Sequence, residues 1–352
     1  MTSHEYCQQT LKKVSRTFAI NIAFLQGDLY KSILCAYLFC RIADTVEDSS
    51  FAAPEQQKAL LTDFRGIFQD KDFSPATMRA WVDAFQHAVS ENDPDNEDIK
   101  LVTNSEVVLD NFLTLPLPYR NAICDCIVEM SEGMMTTLQM KSRQRNGIYF
   151  SKTIAELNRY CYYVAGTVGI LLTRLFAYHS KSITRGIAHF LDKHAVSFGL
   201  GLQMTNIIKD CWTDYRRGWC YIPEELAISN GLVMENFFKP AYRDQAAVTL
   251  NSLIHRAAAH LDDALNYTLH IPRRNYRIRL FCSLPLLFAI STLVAAQNDL
   301  RVLAGEKVKI SREQVKKIIR DTRLLCFSNT ALSNYYHSFR AQLDDSHYSR
   351  PT

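Results

Sequence analysis

Residues Gly201–Gly218 read GLQMTNIIKDCWTDYRRG. The polar groups fall at helical spacing: Gln203, Asn206, Asp210, Asp214 and Arg217. Asn206, Asp210 and Asp214 step by four, so on a helix they line one face. Carboxylates one turn apart on an otherwise apolar helix form a hard oxygen face. Such a face suits Mg²⁺ holding a substrate phosphate, because this ion takes one or two carboxylates and fills its other positions with water and phosphate. The same spacing also fits a plain solvated face, and Asp-x-x-x-Asp alone does not choose between the two.

A second acidic cluster shifts the balance. DTVED, Asp44–Asp48, follows the apolar run AYLFCRIA. Asp44 and Asp48 are four apart, with Glu47 three from Asp44. Arg41 lies one turn before Asp44 and Tyr37 two turns before it. Both clusters sit on segments too apolar for a solvent-facing role. If they faced each other across a cavity, their carboxylates would repel. Divalent cations relieve that repulsion and then bind diphosphate.

Composition sets the class. A chain of 352 residues, 47% hydrophobic, can bury a large core. With 12 Gly and 10 Pro it is poor in turn formers, and its long periodic apolar segments predict an all-α protein. The net charge of +4 comes from interspersed acids and bases, so no nucleic-acid groove is indicated. Ten cysteines, among them Cys35, Cys40, Cys161 and Cys282, are scattered through apolar segments without a Cys-x-x-Cys pair. They read as reduced core residues of a cytoplasmic protein, with no zinc site. The first residues lack the charged-then-apolar pattern of a signal peptide.

Taken in order, residues 5–25 predict one helix or two short helical pieces. Ser15, Arg16 and Thr17 interrupt it, a trio that fits either phosphate oxygens or a helix N-cap. A helix ending near Ser49 follows, then helices over 54–69, 76–89, 100–113 and 119–140. ENDPDNED, residues 91–98, reads as a surface loop, and KSRQRNG, 141–147, as a polar break and mobile flap. In ELNRYCYYVAGTVGILLTRLF, 156–176, three tyrosines precede Gly166 and Gly169. Glycine inside a helix costs roughly 1 kcal/mol relative to alanine. Its presence marks a kink, a ligand against the backbone, or close helix packing. Residues 241–270 predict one long helix. Leu280–Ala296 is nearly all apolar but shorter than the roughly 20 residues of a membrane span and contains Pro285, so it reads as a buried helix beside an apolar pocket. The basic amphipathic segment 307–323 fits an anionic membrane surface, a cofactor phosphate or a solvated face.

Together these motifs resemble the squalene and phytoene synthase family. SRTF at Ser15, DTVED at Asp44, YCYYVAGTVG at Tyr160 and LQMTNIIKD-x3-D at Leu202 occur in the family's order and at its spacings, over about Ser15 to Ser311. The resemblance implies an isoprenoid synthase fold: one helical domain, 1–340, around a central apolar cavity, with 341–352 as a flexible tail. It implies that Asp44, Glu47, Asp48, Asp210 and Asp214 hold Mg²⁺ against farnesyl diphosphate. Ser15, Arg16, Tyr37, Arg41, Gln203, Asn206 and Arg217 are then expected at the diphosphates, and Tyr160 matches the family's catalytic tyrosine.

Within the family, FCSLPLLFAISTL at Phe281 and VKIS at Val308 resemble the segments of the reductive, squalene-forming members. Asn206, Phe281, Pro285 and Lys309 are therefore expected at a nicotinamide cofactor, NADPH or NADH. The wording around Tyr160 is closer to the phytoene-forming members; Thr213 stands where an acid often does, and Ser311 where a basic residue usually does. The implied reaction joins two farnesyl diphosphates through presqualene diphosphate and reduces the product to squalene. The alternatives are a proton-losing synthase of dehydrosqualene or phytoene, and a non-catalytic prenyl-lipid-binding helical protein. The expected state is a cytoplasmic monomer without a transmembrane anchor, touching a membrane peripherally to release product.

Overall fold

A computed structural model describes residues 1–48, 52–89, 96–140 and 143–343, without the side chains of Arg16 and Thr17. The chain forms two compact units, Met1–Met140 with Ile170–Thr184, and Lys141–Gly169 with Arg185–Thr352. The tail expected over 341–352 lies outside the described residues from 344 onward.

The first unit opens with α1, Ser3–Val14, and α2, Arg16–Ile22. They part at Ser15, whose backbone is extended (φ −154°, ψ 110°) and whose hydroxyl accepts the Phe18 N–H at 3.2 Å. The N-cap reading of this serine is therefore the one realised locally. Helix α3, Gly27–Asp48, is followed by α4, Pro54–Gln69, and α5, Pro75–Ala88, both with Pro in the first turn. Two expectations need correction here. Part of the acidic stretch 91–98 lies outside the described residues, but its end is helical, not loop. Asn96 caps α6, Glu97–Thr103, and accepts the N–H groups of Asp98 and Ile99; acids in a first turn suit the helix dipole. The single helix expected over 100–113 is broken at Asn104, where α7, Ser105–Leu113, begins. Helix α8, Leu117–Met140, closes the series. Phe39 of α3 meets Phe68 at 4.9 Å and Phe112 at 5.5 Å, largely edge-on, and Phe64 meets Trp81 at 4.8 Å. This aromatic cluster roots α3.

The second unit holds a strand pair that the all-helical pattern hides. β1, Tyr149–Phe150, pairs in parallel with β2, Trp219–Cys220. Residues 141–142 of the expected flap lie outside the described residues; in its remainder, just before β1, Arg145 is anchored by Glu224 at 2.7 Å and Glu235 at 3.1 Å. Helix α9, Ile154–Cys161, passes into a π-helical turn, Tyr162–Gly166, and then α10, Thr167–His179. The π turn is the irregularity that the glycines foreshadow. Close packing is equally real. A Cβ at Gly169 would sit 2.1 Å from the Ala195 carbonyl oxygen, and one at Gly199 would sit 2.3 Å from that of Ala165. Both partners lie between this segment and α11, Arg185–Arg216, the 32-residue helix of the central motif.

Beyond β2 come α12, Glu224–Ser229, then α13, Arg243–His270, α14, Tyr276–Ala296, α15, Arg312–Leu325, and α16, Asn329–Arg340. Arg279 is fully buried, and among the described residues it has no carboxylate partner. Its guanidinium donates to the carbonyls of Thr268, Leu269, Ile271 and Cys326 and to Asn329 Oδ1, at 2.7–3.2 Å. It thereby satisfies carbonyls at the end of α13 that no helical N–H reaches. All ten cysteines are free, nine of them buried, as core thiols should be. Among the described residues two stretches, Ile154–His179 and Tyr276–Ala296, are long and apolar enough to cross a membrane; 39% and 72% of their apolar windows are buried within the protein. The second value suits the buried helix expected at Pro285.

Gly169→Ala should destabilise the protein by about 1–3 kcal/mol or more, because the new methyl meets backbone, not a movable side chain. Gly66→Ala, inside α4 with nothing within 4 Å, should instead stabilise by about 0.5–1 kcal/mol. Paired denaturant titrations measure both, and equal effects would remove the packing role assigned to Gly169.

Candidate active site

In the first unit, one face of α3 carries Tyr37, Arg41, Asp44 and Asp48. Burial, then the neighbouring Asp48 carboxylate, push Asp44 up to about 7. Arg41 pulls it down but is largely committed elsewhere. The Arg41 fork donates Nε to Asp98 Oδ1 at 2.9 Å and Nη2 to Asp98 Oδ2 at 2.6 Å. Burial also raises Tyr37, while the adjacent Ser15 hydroxyl and then Arg41 pull it down. Its ring lies 5.5 Å from that of Phe18. The structure thus gathers Ser15, Tyr37, Arg41, Asp44 and Asp48 into one cluster and adds Asp98. The Arg16 side chain is outside the described residues. Glu47, between the two aspartates in sequence, is buried, and Gln57 of α4 donates to its backbone carbonyl at 2.8 Å.

In the second unit, α11 carries Gln203, Asn206, Asp210 and Asp214 down one side, half-buried or exposed. Arg217 falls just past the helix end, in the turn whose N–H returns to the Thr213 and Asp214 carbonyls. Asp210 is ion-paired with its neighbour Lys209. Tyr160, in the last turn of α9, stacks on Tyr221 with ring centroids 4.3 Å apart and planes at 18°. Tyr221 stacks on Trp219 at 5.7 Å and 3°, and Trp219 meets Tyr149 edge-on at 5.4 Å. The strand pair therefore holds an aromatic ladder that ends on Tyr160.

The segment expected at the cofactor divides. Phe281 is buried in α14, and Pro285 is half-buried inside the same helix. Lys309 is exposed, next to the buried Val308. Ser311 caps α15, accepting the Gln314 N–H at 3.1 Å, so its hydroxyl is already engaged. Upstream, Gly305 has φ 84°, and a Cβ there would sit 2.5 Å from Trp212 Nε1. The root of this lysine-bearing segment thus rests on α11 between Asp210 and Asp214.

Sequence reasoning missed Asp98, Lys209, Tyr221 and Trp219, and the Trp212–Gly305 seat. Asn96 ahead of two acids was a helix-start signal. The Arg41–Asp98 contact spans 57 residues and leaves no local trace.

The family model for squalene/phytoene synthases matches residues 11–314. This chain belongs to the squalene and phytoene synthase family. It is 30% identical over 337 residues to a squalene synthase of Schizosaccharomyces pombe, covering 92% of this chain and 69% of that protein. To the squalene synthase of Dictyostelium discoideum it is 32% identical over 316 residues, covering 90% and 69%. A ligand complex of TcSQS superposes with a TM-score of 0.80 at 23% identity, covering 97% of this chain and 91% of that one. The all-α isoprenoid synthase fold expected from the motifs is the fold observed.

The donor set fits Mg²⁺. Among the described residues no three His, Cys, Asp or Glu side chains form a metal cluster. This ion needs only one or two carboxylates beside phosphate and water, and the crowded Asp44–Asp48 pair is unfavourable without a cation.

The raised Asp44 predicts a pH effect. The folded chain holds this proton more tightly than the unfolded chain, whose ordinary value is 3.8. The contribution of Asp44 to stability therefore falls as pH rises from about 4 to about 7 and stays low above that. With metal chelated, Asp44→Asn should melt higher than wild type near pH 8 and equal to it near pH 4. A melting difference independent of pH would refute the desolvated, crowded carboxylate.

Proposed function

We propose that this protein is a magnesium-dependent farnesyl-diphosphate farnesyltransferase that condenses two farnesyl diphosphates head to head and reduces the product to squalene with NADPH or NADH. The observation that carries this reading is the pair of aspartate motifs on α3 and α11, in a chain about 30% identical to squalene synthases over nine-tenths of its length.

Asp44, Glu47 and Asp48 on α3, and Asp210 and Asp214 on α11, would each offer carboxylates to Mg²⁺, which when bound supplies positive charge to a departing diphosphate. Arg41, fixed by Asp98, keeps a cation beside this site without swinging away. Ser15, Tyr37, Gln203, Asn206 and Arg217 offer hydroxyl, amide and guanidinium donors to diphosphate oxygens. Arg16 is assigned with them on its motif. Loss of diphosphate leaves an allylic cation, which the double bond of the second farnesyl group attacks. Tyr160, its ring stacked on Tyr221, would orient diphosphate or relay the proton whose loss closes the cyclopropane of presqualene diphosphate. Apolar helix walls keep water from trapping cations as alcohols, and aromatic faces stabilise them.

The second half-reaction ionises presqualene diphosphate and rearranges it, and a nicotinamide cofactor supplies the hydride that ends it. The exposed Lys309 ammonium suits a cofactor phosphate. Asn206 and the half-buried Pro285 would border the site, with the buried Phe281 behind them. Product leaves as an apolar hydrocarbon, which favours peripheral contact with a membrane.

Asp210→Asn should reduce turnover at least a hundredfold with the helical circular dichroism unchanged, and near-wild-type activity would sink the metal role of the second motif. Without NADPH the enzyme should stall at presqualene diphosphate or release dehydrosqualene and alcohols, and NADPH should redirect flux to squalene. Lys309→Ala should raise the NADPH requirement and spare presqualene diphosphate formation. Chromatography of the products measures each. An identical profile with and without NADPH would make the enzyme a proton-losing synthase.

A further inference from the structure

Two large apolar side chains stand out from the second unit where α14 and α15 meet. Leu324 is 72% exposed and Phe327 54% exposed. Phe327 is not a loose side chain. Its ring stacks on Tyr276 at 4.5 Å with planes at 7°, and the Tyr276 hydroxyl donates to the Arg323 carbonyl at 3.4 Å. The structure holds an apolar tip in water, where its exposure is unfavourable.

The surroundings are cationic. Arg312, Lys316, Lys317 and Arg323 are all exposed on α15, whose opposite side buries Ile318 and Thr322. At helical spacing they share one face with Leu324. Arg273, Arg274 and Arg277 are exposed at the start of α14, next to the stacked Tyr276. Within 273–277 and 312–327 the only exposed acid is Glu313; the less exposed Asp321 pairs with Arg320 at 3.0 Å. Eight exposed cations, Arg320 included, thus gather here in a chain whose net charge is only +4. A groove of about 590 Å³ between α15 and α16 continues the patch, lined by Lys316, Lys317, Tyr335 and Phe339.

We propose that this face, Leu324 and Phe327 within their ring of arginines and lysines, docks onto an anionic lipid surface. Charge complementarity selects a negative partner. The protruding tips then select lipid over nucleic acid, because phosphate backbones give nothing for burying leucine and phenylalanine, whereas a headgroup–acyl boundary does. A ring-stacked aromatic tip and an exposed aliphatic one among cations are the chemistry of an interfacial anchor. The docking rests on the proposed squalene synthesis only for its purpose, the delivery of a hydrocarbon product.

The test is sedimentation of the full chain with phosphatidylcholine vesicles, with and without about 30% phosphatidylserine. Binding should be at least tenfold stronger to the anionic vesicles and should weaken several-fold as salt rises from about 50 to 300 mM. Leu324→Glu/Phe327→Glu and, separately, Lys316→Glu/Lys317→Glu should each reduce binding about tenfold with unchanged melting temperature. Equal binding to neutral vesicles overturns the proposal, as does wild-type binding by both variants. Binding that survives Leu324→Glu/Phe327→Glu, yields to Lys316→Glu/Lys317→Glu and is competed away by single-stranded DNA also overturns it, in favour of a general polyanion surface. Product analysis on the same preparations separates the two readings. Squalene made without vesicle binding rejects only the docking, whereas vesicle binding without squalene rejects only the proposed reaction.

Discussion

The second unit depends on backbone lying against backbone. Where the Tyr160 segment meets α11, backbone lies on backbone at two points: Gly169 faces the Ala195 carbonyl and Gly199 faces that of Ala165. A glycine inside a helix is a loss that only such an approach makes worthwhile. The contact fixes how far along α11 the Tyr160 segment can sit. The π turn at Tyr162–Gly166 then absorbs the mismatch between a helix that must pack this closely and one that must present Tyr160 to the strand pair. Tyr221, on the chain just after β2, completes the constraint by stacking on the tyrosine from the other side. One ring is thus held by two elements distant in sequence, as an orienting group requires.

The two aspartate motifs do not start from equal electrostatics. On α3 the partnership is between like charges: Asp44 is desolvated beside Asp48, and the nearest guanidinium is held by Asp98. On α11 Asp210 is more exposed and already neighbours the Lys209 ammonium. A cation arriving at the first motif relieves repulsion and replaces lost hydration together. At the second it must displace or share an existing ion pair on a surface that water still screens. On the proposed reading the first motif therefore gains more from each divalent ion. The second, poorer by the acid that Thr213 replaces, leans more on neighbouring amide and guanidinium donors.

Much of this was legible because helices write themselves locally. Asp44 and Asp48, and Asn206, Asp210 and Asp214, share faces by counting alone, and the proline at 54 marked a helix start. Legibility stopped where contacts were long-range or where one pattern served two ends. Nothing near Arg41 announces Asp98, and two-residue strands such as Tyr149–Phe150 carry no period. Ser15 reads as a phosphate ligand or a cap, and the cap bond to Phe18 is visible only in three dimensions. Gly166 and Gly169 marked both an irregular turn and a close approach because both are present. Glu47 shows the limit of spacing: three residues from Asp44 brings it near on the helix, but counting does not foresee that it is buried while Asp48 is exposed.

On the proposed reductive reading, residues 305–311 form the segment that meets the cofactor phosphate. The segment begins at Gly305, whose left-handed backbone and missing Cβ let it lie against Trp212 of α11. It ends at Ser311, which caps α15. Both ends are fixed by packing and capping, so the exposed Lys307 and Lys309 between them project from a short, anchored span, with Val308 turned inward. A basic residue at 311 could not supply the same cap. Cofactor phosphate recognition, where the reductive reading holds, therefore falls on lysines whose reach is limited by two fixed ends. That arrangement trades a cation for order: fewer charges meet the phosphate, but less conformational entropy is lost when they do.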